Sequence, residues 1–221
     1  MRIAADHAHQ QVDRAREPVR LDDLGDQGDL VDDLDRLGVP IVPVVRGTRA
    51  DAPRIRAAVA EAGWDELVLK PAIGVGGSGV MRTDAAGLAD VLGELAPRTE
   101  VMVQPFATAI LDEGELSFIF LGGSLSHALR KRPASGDFRA HGIYGGTVEA
   151  TDADPADVAQ VEAMLARLPF DLLYARFDVV RLDGRLAVLE LELIEPMLYF
   201  DLAPGSAGRL ADATLARLTG A

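Results

Sequence analysis

The stretch that most limits how this chain can fold is Glu66-Leu67-Val68-Leu69-Lys70 followed by Pro71-Ala72-Ile73-Gly74-Val75-Gly76-Gly77-Ser78-Gly79. It is an apolar run ending in a cation, then four glycines within six residues. Glycine loses more conformational freedom on folding than any other residue, so this density is costly unless the backbone must take positive φ or approach a ligand closely. Successive N–H groups in such a loop can point at phosphate oxygens. The match to Gly-x-Gly-x-x-Gly at 74, 76 and 79 is weak by itself, and its surroundings decide. A dinucleotide-binding turn opens directly into a helix, whereas Val80-Met81-Arg82 reads as a returning strand, with the next helix starting near Thr83-Asp84. A Walker loop needs Lys-Ser or Lys-Thr after its last glycine, and Val80-Met81 stands there. Two readings remain: a hairpin-type glycine flap over nucleotide phosphates, with Lys70 on the strand before it, and a flexible turn without a ligand.

A chain of 221 residues suits one large or two small domains. No apolar stretch reaches membrane length and no secretory leader opens the chain, so the expected location is cytoplasmic, with no membrane partner. Cysteine is absent, which removes disulfides, thiolate nucleophiles and cysteine zinc sites. A net charge of −13 speaks against nucleic acid, whose backbone needs a basic footprint. Within this acidic chain lysine occurs only at 70 and 131, and arginine supplies the other strong cations. Lys70 adjoins the glycine loop and Lys131 sits inside Arg130-Lys131-Arg132, both suited to phosphate. An ammonium is a compact point charge, unlike the planar arginine fork.

In chain order, residues 1–34 form an aspartate-rich leader, expected to be poorly ordered, in which His7 and His9 are read as solvated. Val39 to Val45 reads as an edge strand, Asp51 to Ala62 as a helix stopped by Gly63, and Asp84 to Leu95 as a second helix. Val101 to Phe106 is a strand ending in Gln104-Pro105-Phe106, a junction whose free backbone groups could read an adenine edge or simply end a strand. Glu115 to Leu121 and Leu125 to Arg132 make a hairpin about Gly122-Gly123, with Arg130 and Arg132 on one face, inviting an anion, and Lys131 on the other. Residues 136–146, carrying Arg139, His141 and Gly145-Gly146, read as a mobile lid or a plain surface loop. A helix capped by Asp154-Pro155 follows, then strands from Leu172 to Leu182 and Arg185 to Ile194. The last element is a helix packing through Leu210, Ala213, Leu215 and Leu218.

Glu190 and Glu192 are two apart on a strand and therefore share a face. A three-residue loop Leu182-Asp183-Gly184 would oppose Asp178 to Val188 and bring Asp178 to that same face. A two-residue loop at Asp183-Gly184 would send Asp178 to the opposite one. Three carboxylates crowded in a half-buried sheet repel unless protons or a dication neutralise them, and Mg²⁺ is the hard cation that prefers such ligands. A solvated face paired with arginines is the bland counterpart.

The ordered set of motifs resembles the ATP-grasp superfamily. It comprises strand-Lys70-Pro71 and flap, Gln104-Pro105-Phe106, Gly114-Glu115, Arg130-Lys131-Arg132-Pro133, Phe138-Arg139 with Gly145-Gly146, Phe177-Asp178, and Glu190-Leu191-Glu192-Leu193-Ile194-Glu195-Pro196. Within the superfamily it is similar to the glutathione synthetase and ribosomal-modification ligases, and most similar to ATP-grasp ligases of the D-cycloserine biosynthesis type, an antibiotic pathway. The resemblance implies an α+β fold of two subdomains gripping ATP between antiparallel sheets, a small lid subdomain at 35–104 and a large one with the metal site at 105–221. It implies that Lys70 binds phosphate, that Gly76, Gly77, Ser78 and Gly79 cover it, that Gln104, Pro105 and Phe106 hold adenine, and that Glu115 lies on the ribose side. Lys131 and Arg139 would be catalytic, holding the γ-phosphate and an acyl phosphate, and Asp178, Glu190 and Glu192 would bind Mg²⁺ or Mn²⁺. The implied activity is ADP-forming C–N ligation of a small-molecule carboxylate and an amine, on an amino acid or small peptide-like substrate, with D-cycloserine-type ring closure as its specific form. Such ligases carry an N-terminal domain that helps bind the acceptor, where this chain shows only its leader. A truncated ATP-binding module without independent catalysis is therefore the alternative, and a homodimer or a completing partner chain is left open. The family's lysine about ten residues before Gly38-Val39-Pro40 is Gly28 here, and its glutamine near 141 is His141.

Overall fold

The structure, a computed structural model, describes residues 33–220 apart from Val75 and His141. Residues 1–32 of the leader, with His7, His9 and Gly28, and the loop residue His141 lie outside the described residues, while the leader's last residue, Leu34, is buried.

Two antiparallel sheets carry the fold. The first has the order β1-β4-β2-β3 and is built from β1 (Val45–Gly47), β2 (Glu66–Pro71), β3 (Met81–Asp84) and β4 (Val101–Pro105). Alternation decides its two faces. Leu67 and Leu69 of β2 and Val101 and Val103 of β4 pack with Ile55 and Val59 of α1 (Ala52–Ala62) and Leu88 and Leu92 of α2 (Leu88–Glu94). The intervening Val68, Lys70 and Gln104 are thereby left to the other face, and all three line a pocket. Gly63 ends α1 at φ 67°, the left-handed position that glycine reaches without strain. The second helix starts later than its sequence suggests, because Asp84 is held in β3 opposite Glu66.

The second sheet has the order β7-β6-β5-β8-β9, from β5 (Glu115–Leu121), β6 (Ser124–Arg132), β7 (Thr147–Thr151), β8 (Tyr174–Leu182) and β9 (Arg185–Glu192). One face packs Leu116, Phe118, Phe120, Phe177 and Val179 against Val161 and Met164 of the helix Pro155–Leu165. The other face is divided. At one end Ile119, Leu121 and Leu129 are covered by Leu198, Tyr199, Leu202 and Leu210, and at the other stand the charged side chains of the site. We number that helix α4, after the short α3 (Ala109–Asp112), and the C-terminal helix Ser206–Thr219 α5.

Several expectations need correction. The stretch before β1 belongs with the second sheet: Leu34 and Val39 lie in its core, Val188 N–H donates to the Pro40 carbonyl, and Val42 N–H donates back to Val188. Only Val45–Gly47 forms the edge strand, and Ile41 makes a lone parallel bridge. Arg130 and Arg132 do share a face, but they donate to the carbonyls of Glu113 and Asp112 at the end of α3, so the helix terminus takes the place of an anion. On α5, Leu215 and Leu218 are exposed, so this helix packs through fewer apolar positions than its periodicity suggests.

Candidate active site

The carboxylate face exists, though the turn that builds it differs from the one expected. Leu182 opposes Arg185, so the loop is the two-residue Asp183-Gly184, with φ of 49° and 78°. Continued regularly, that register would oppose Asp178 to Leu189. A bulge between Asp178 and Val179 shifts the ladder by one residue, so that Asp178 opposes Glu190 and Arg176 opposes Glu192. Asp178, Glu190 and Glu192 thus offer oxygens that all lie within 4.8 Å of one another.

Alternation then adds what the sequence reading passed over. Arg176, two residues before Asp178, rises on the same face and is only 6% exposed. Its Nε and Nη2 donate to Asp178 at 3.0 and 2.8 Å, Nη2 also donates to Glu192, and Nη1 donates to the Met197 carbonyl at 3.1 Å. Ser117, opposite Asp178 on β5, donates its hydroxyl to Oδ1. Lys131 Nζ lies 2.7 Å from Glu115 and 3.0 Å from Asp178. Asp178 is therefore fully buried yet saturated with donors, and although burial alone would raise its carboxyl, Lys131, Arg176 and Ser117 hold it below the usual carboxylate range. Burial pushes Glu115 up to about 7, with Asp178 and Glu190 adding to the rise and Lys131 opposing it. The same burial works against the Lys131 ammonium, but its two carboxylates outweigh it and keep it charged. Burial also raises Glu192, with Arg176 opposing and Asp178 and Glu190 reinforcing. Glu190 makes no hydrogen bond or ion pair among the described residues and is exposed.

A pocket between the two sheets gathers Lys70, Gln104, Phe106, Glu115, Arg139 and Glu190 on its walls, with Pro105 beside them. Lys70 Nζ reaches across to the Leu189 carbonyl at 3.5 Å and has no carboxylate partner among the described residues. Gln104 donates to the Val42 carbonyl at 3.2 Å. The Phe106 ring meets Phe138 edge-on at 6.1 Å between centroids and carries the Arg82 guanidinium 3.9 Å above it. Its backbone N–H donates to the Glu66 carbonyl and is not free to read an adenine edge. Arg139 is clamped by Asp137 at 2.7 Å and stacks on Tyr144 at 3.5 Å. Gly76, Gly77 and Gly79 take positive φ of 62°, 74° and 73°, as the close turn between β2 and β3 requires. They and Ser78 stand outside the pocket wall, to which this loop contributes Val80. Lys131, Asp178 and Glu192 are not part of that wall and adjoin it through Glu115 and Glu190.

The family model of the prokaryotic glutathione synthetase ATP-grasp domain matches residues 44–192, from β1 to the last residue of β9. The chain belongs to this ATP-grasp family. It is 34% identical over 161 residues to a glutathione synthetase of Prochlorococcus marinus (strain MIT 9313), a match covering 70% of this chain and 50% of that protein. It is 33% identical over 202 residues to the cycloserine biosynthesis protein DcsG of Streptomyces lavendulae, covering 84% of this chain and 67% of the relative. The crystal structure of D-cycloserine synthetase DcsG superposes with a TM-score of 0.70 at 29% identity, over 85% of this chain and 68% of that one. A D-alanine–D-alanine ligase from Bacillus anthracis shares the fold with a TM-score of 0.61 at 18% identity, over 86% of this chain and 66% of that one. The chain thus spans half the length of the Prochlorococcus relative. No helix among the described residues is long and apolar enough to cross a membrane.

Proposed function

We propose that this ATP-grasp chain handles the nucleotide and metal for a ligase that joins a carboxylate to an amine, releasing ADP and phosphate, on an amino acid or small peptide-like substrate. The observation that carries the reading is the continuity of the pocket with the carboxylate cluster: Glu190 belongs to both. The three carboxylates offer only oxygens, as a hard dication prefers; Glu190 is not engaged by a cation, while Asp178 and Glu192 would share with the metal the oxygens now held by Lys131 and Arg176. When bound, Mg²⁺ or Mn²⁺ supplies charge neutralisation on the phosphate oxygens.

The protein's own groups follow from where they stand. Phe106, Phe138, Gln104 and Pro105 line the part of the pocket where an adenine would lie, with the Phe106 ring held by Phe138 and Arg82. Lys70, a cation without a carboxylate partner, faces the phosphates, and Arg139 stands at the same wall. The glycine turn gives Gly76, Gly77, Ser78 and Gly79 the backbone freedom to cover them. Glu115 stays on the ribose side of the wall while anchoring Lys131. Phosphoryl transfer to the substrate carboxylate requires positioning and positive charge more than a protein nucleophile, and among the described residues this pocket has no serine–histidine pair. The amine then attacks the acyl phosphate, its nitrogen forms the C–N bond, and phosphate leaves with the electron pair of the broken C–O bond. The 202-residue likeness to the cycloserine biosynthesis protein supports a ring-closing version, in which amine and carboxylate belong to one molecule.

Mg-ATP is expected to raise the melting temperature, and ADP is expected to be released with at least one member of a panel of amino acids, dipeptides and their hydroxylamine-containing analogues. Heat stabilisation with no ADP across the panel would overturn the ligase reading and leave a nucleotide-binding module.

A further inference from the structure

One cross-strand row of the second sheet reads His127, Ile119, Arg176, Glu192. The imidazole and the guanidinium therefore rise from the same face with one strand between them. Each holds one of two consecutive carbonyls in the segment that follows Glu192. Arg176 Nη1–H donates to Met197 at 3.1 Å, and His127 Nε2 lies 2.9 Å from the Leu198 oxygen. A carbonyl only accepts, so Nε2 carries the proton, and Nδ1 accepts from the Ser126 hydroxyl at 2.9 Å. That hydroxyl oxygen accepts in turn from Arg209 Nη2 of α5, also at 2.9 Å. Burial, with Arg209 reinforcing it and the Leu198 carbonyl opposing, holds the imidazole below its usual range and so neutral, as this chain of bonds requires.

The pegged segment needs support. Glu195 and Tyr199 take φ of 47° and 51°, left-handed conformations that side chains resist and that persist only where the surroundings impose them. Ile194 and Met197 are left exposed beside the carboxylates. The nucleotide pocket uses Glu190 but none of residues 193–200, and this segment joins the cluster instead through Arg176, which holds Asp178, Glu192 and the Met197 carbonyl.

We propose that His127 is a positioning residue: with Ser126 and Arg209 it fixes the Leu198 carbonyl, and through it sets residues 194–199 as the acceptor-side wall of the carboxylate cluster. The acceptor half of this rests on the ligase reading; the structural half does not. In the whole chain, H127F keeps a ring and loses the donor, whereas H127Q keeps an N–H donor. Hydrogen exchange followed by mass spectrometry is expected to quicken about tenfold at residues 194–200 in H127F, the loss of roughly one local hydrogen bond's protection, and to stay near wild type in H127Q. Heat stabilisation by AMP-PNP with Mg²⁺ stays unchanged in both. With the amino acid or peptide that releases most ADP, H127F raises the acceptor KM about tenfold and changes kcat less than about twofold, and H127Q restores it. R209Q, which cuts the chain at exposed α5, quickens the same segment to a smaller degree and serves should H127F not fold. Unaltered exchange in H127F and R209Q, or equal defects in H127F and H127Q, would overturn the proposal. Absence of turnover in wild type would sink the ligase reading alone, because the exchange comparison still decides the role of His127.

Discussion

Replacing Lys131 by methionine is expected to cost about 3–5 kcal/mol of stability and to lower ADP formation by at least about a hundredfold. The ammonium is 7% exposed and holds Glu115 and Asp178 at once, so its removal strands two carboxylates in the sheet rather than deleting a surface ion pair. The pH dependence should betray the cause. In the native chain Glu115 is already raised from 4.5 to about 7, by burial first and by Asp178 and Glu190 next, against the pull of Lys131. A carboxyl raised on folding binds its proton more tightly in the native state. Its contribution is therefore complete below about 4.5 and lost as pH rises through about 7. Without Lys131 the rise is steeper, so K131M should recover part of its deficit between about pH 8 and about pH 5.5 as Glu115 takes up its proton. A melting temperature equal to wild type, or a deficit identical at both pH values, would show that the network does not depend on the ammonium.

Asp178→Asn tests the other centre of the cluster. The substitution keeps the shape and, with its carbonyl at the Oδ1 position, retains an acceptor for Ser117 and for Arg176 Nε, but it puts an NH2 group where Oδ2 accepted and removes the charge that a dication would need. AMP-PNP alone should stabilise the variant as it does wild type, while the additional stabilisation given by Mg²⁺ should vanish. At a metal concentration about a hundred times its dissociation constant that loss amounts to about 2.7 kcal/mol. Thermal unfolding with and without Mg²⁺ at fixed nucleotide measures it. An undiminished Mg²⁺ increment would remove Asp178 from the metal-binding set.

How far the site could be read in advance depends on which signals survive in one dimension. Leu67, Leu69, Val101 and Val103 alternate cleanly, so the face of the first sheet that covers the helices, and with it the outward direction of Lys70 and Gln104, follows from a period of two. The shared face of Glu190 and Glu192 follows in the same way. The place of Asp178 does not, because it depends on turn length and bulge together. The two-residue turn at Asp183-Gly184 by itself gives the wrong parity, and the bulge at Leu189 restores the right one, two departures that cancel and leave no mark in the pattern. Arg176 was within reach, since it stands two residues before Asp178; extending the face by one step would have found the counter-ion. His127 was not. Its partners Ser126, Arg209 and the Leu198 carbonyl come from separate elements, and only the packing of α5 and the return of the segment after β9 bring them together. Glu115 likewise reads as a ribose-side group by position, while its register opposite Lys131 gives its carboxylate to a buried ammonium.

Ligation by this site requires a nucleotide and a dication to meet where the pocket joins the carboxylates. Crystals grown with AMP-PNP and Mn²⁺ test this directly through the anomalous signal of the metal. The expected result is nucleotide density between the glycine turn and the second sheet, with an anomalous peak about 2.1 Å from oxygens of Asp178, Glu190 or Glu192. Nucleotide bound elsewhere, or a pocket filled while the metal peak lies away from all three carboxylates, would contradict it.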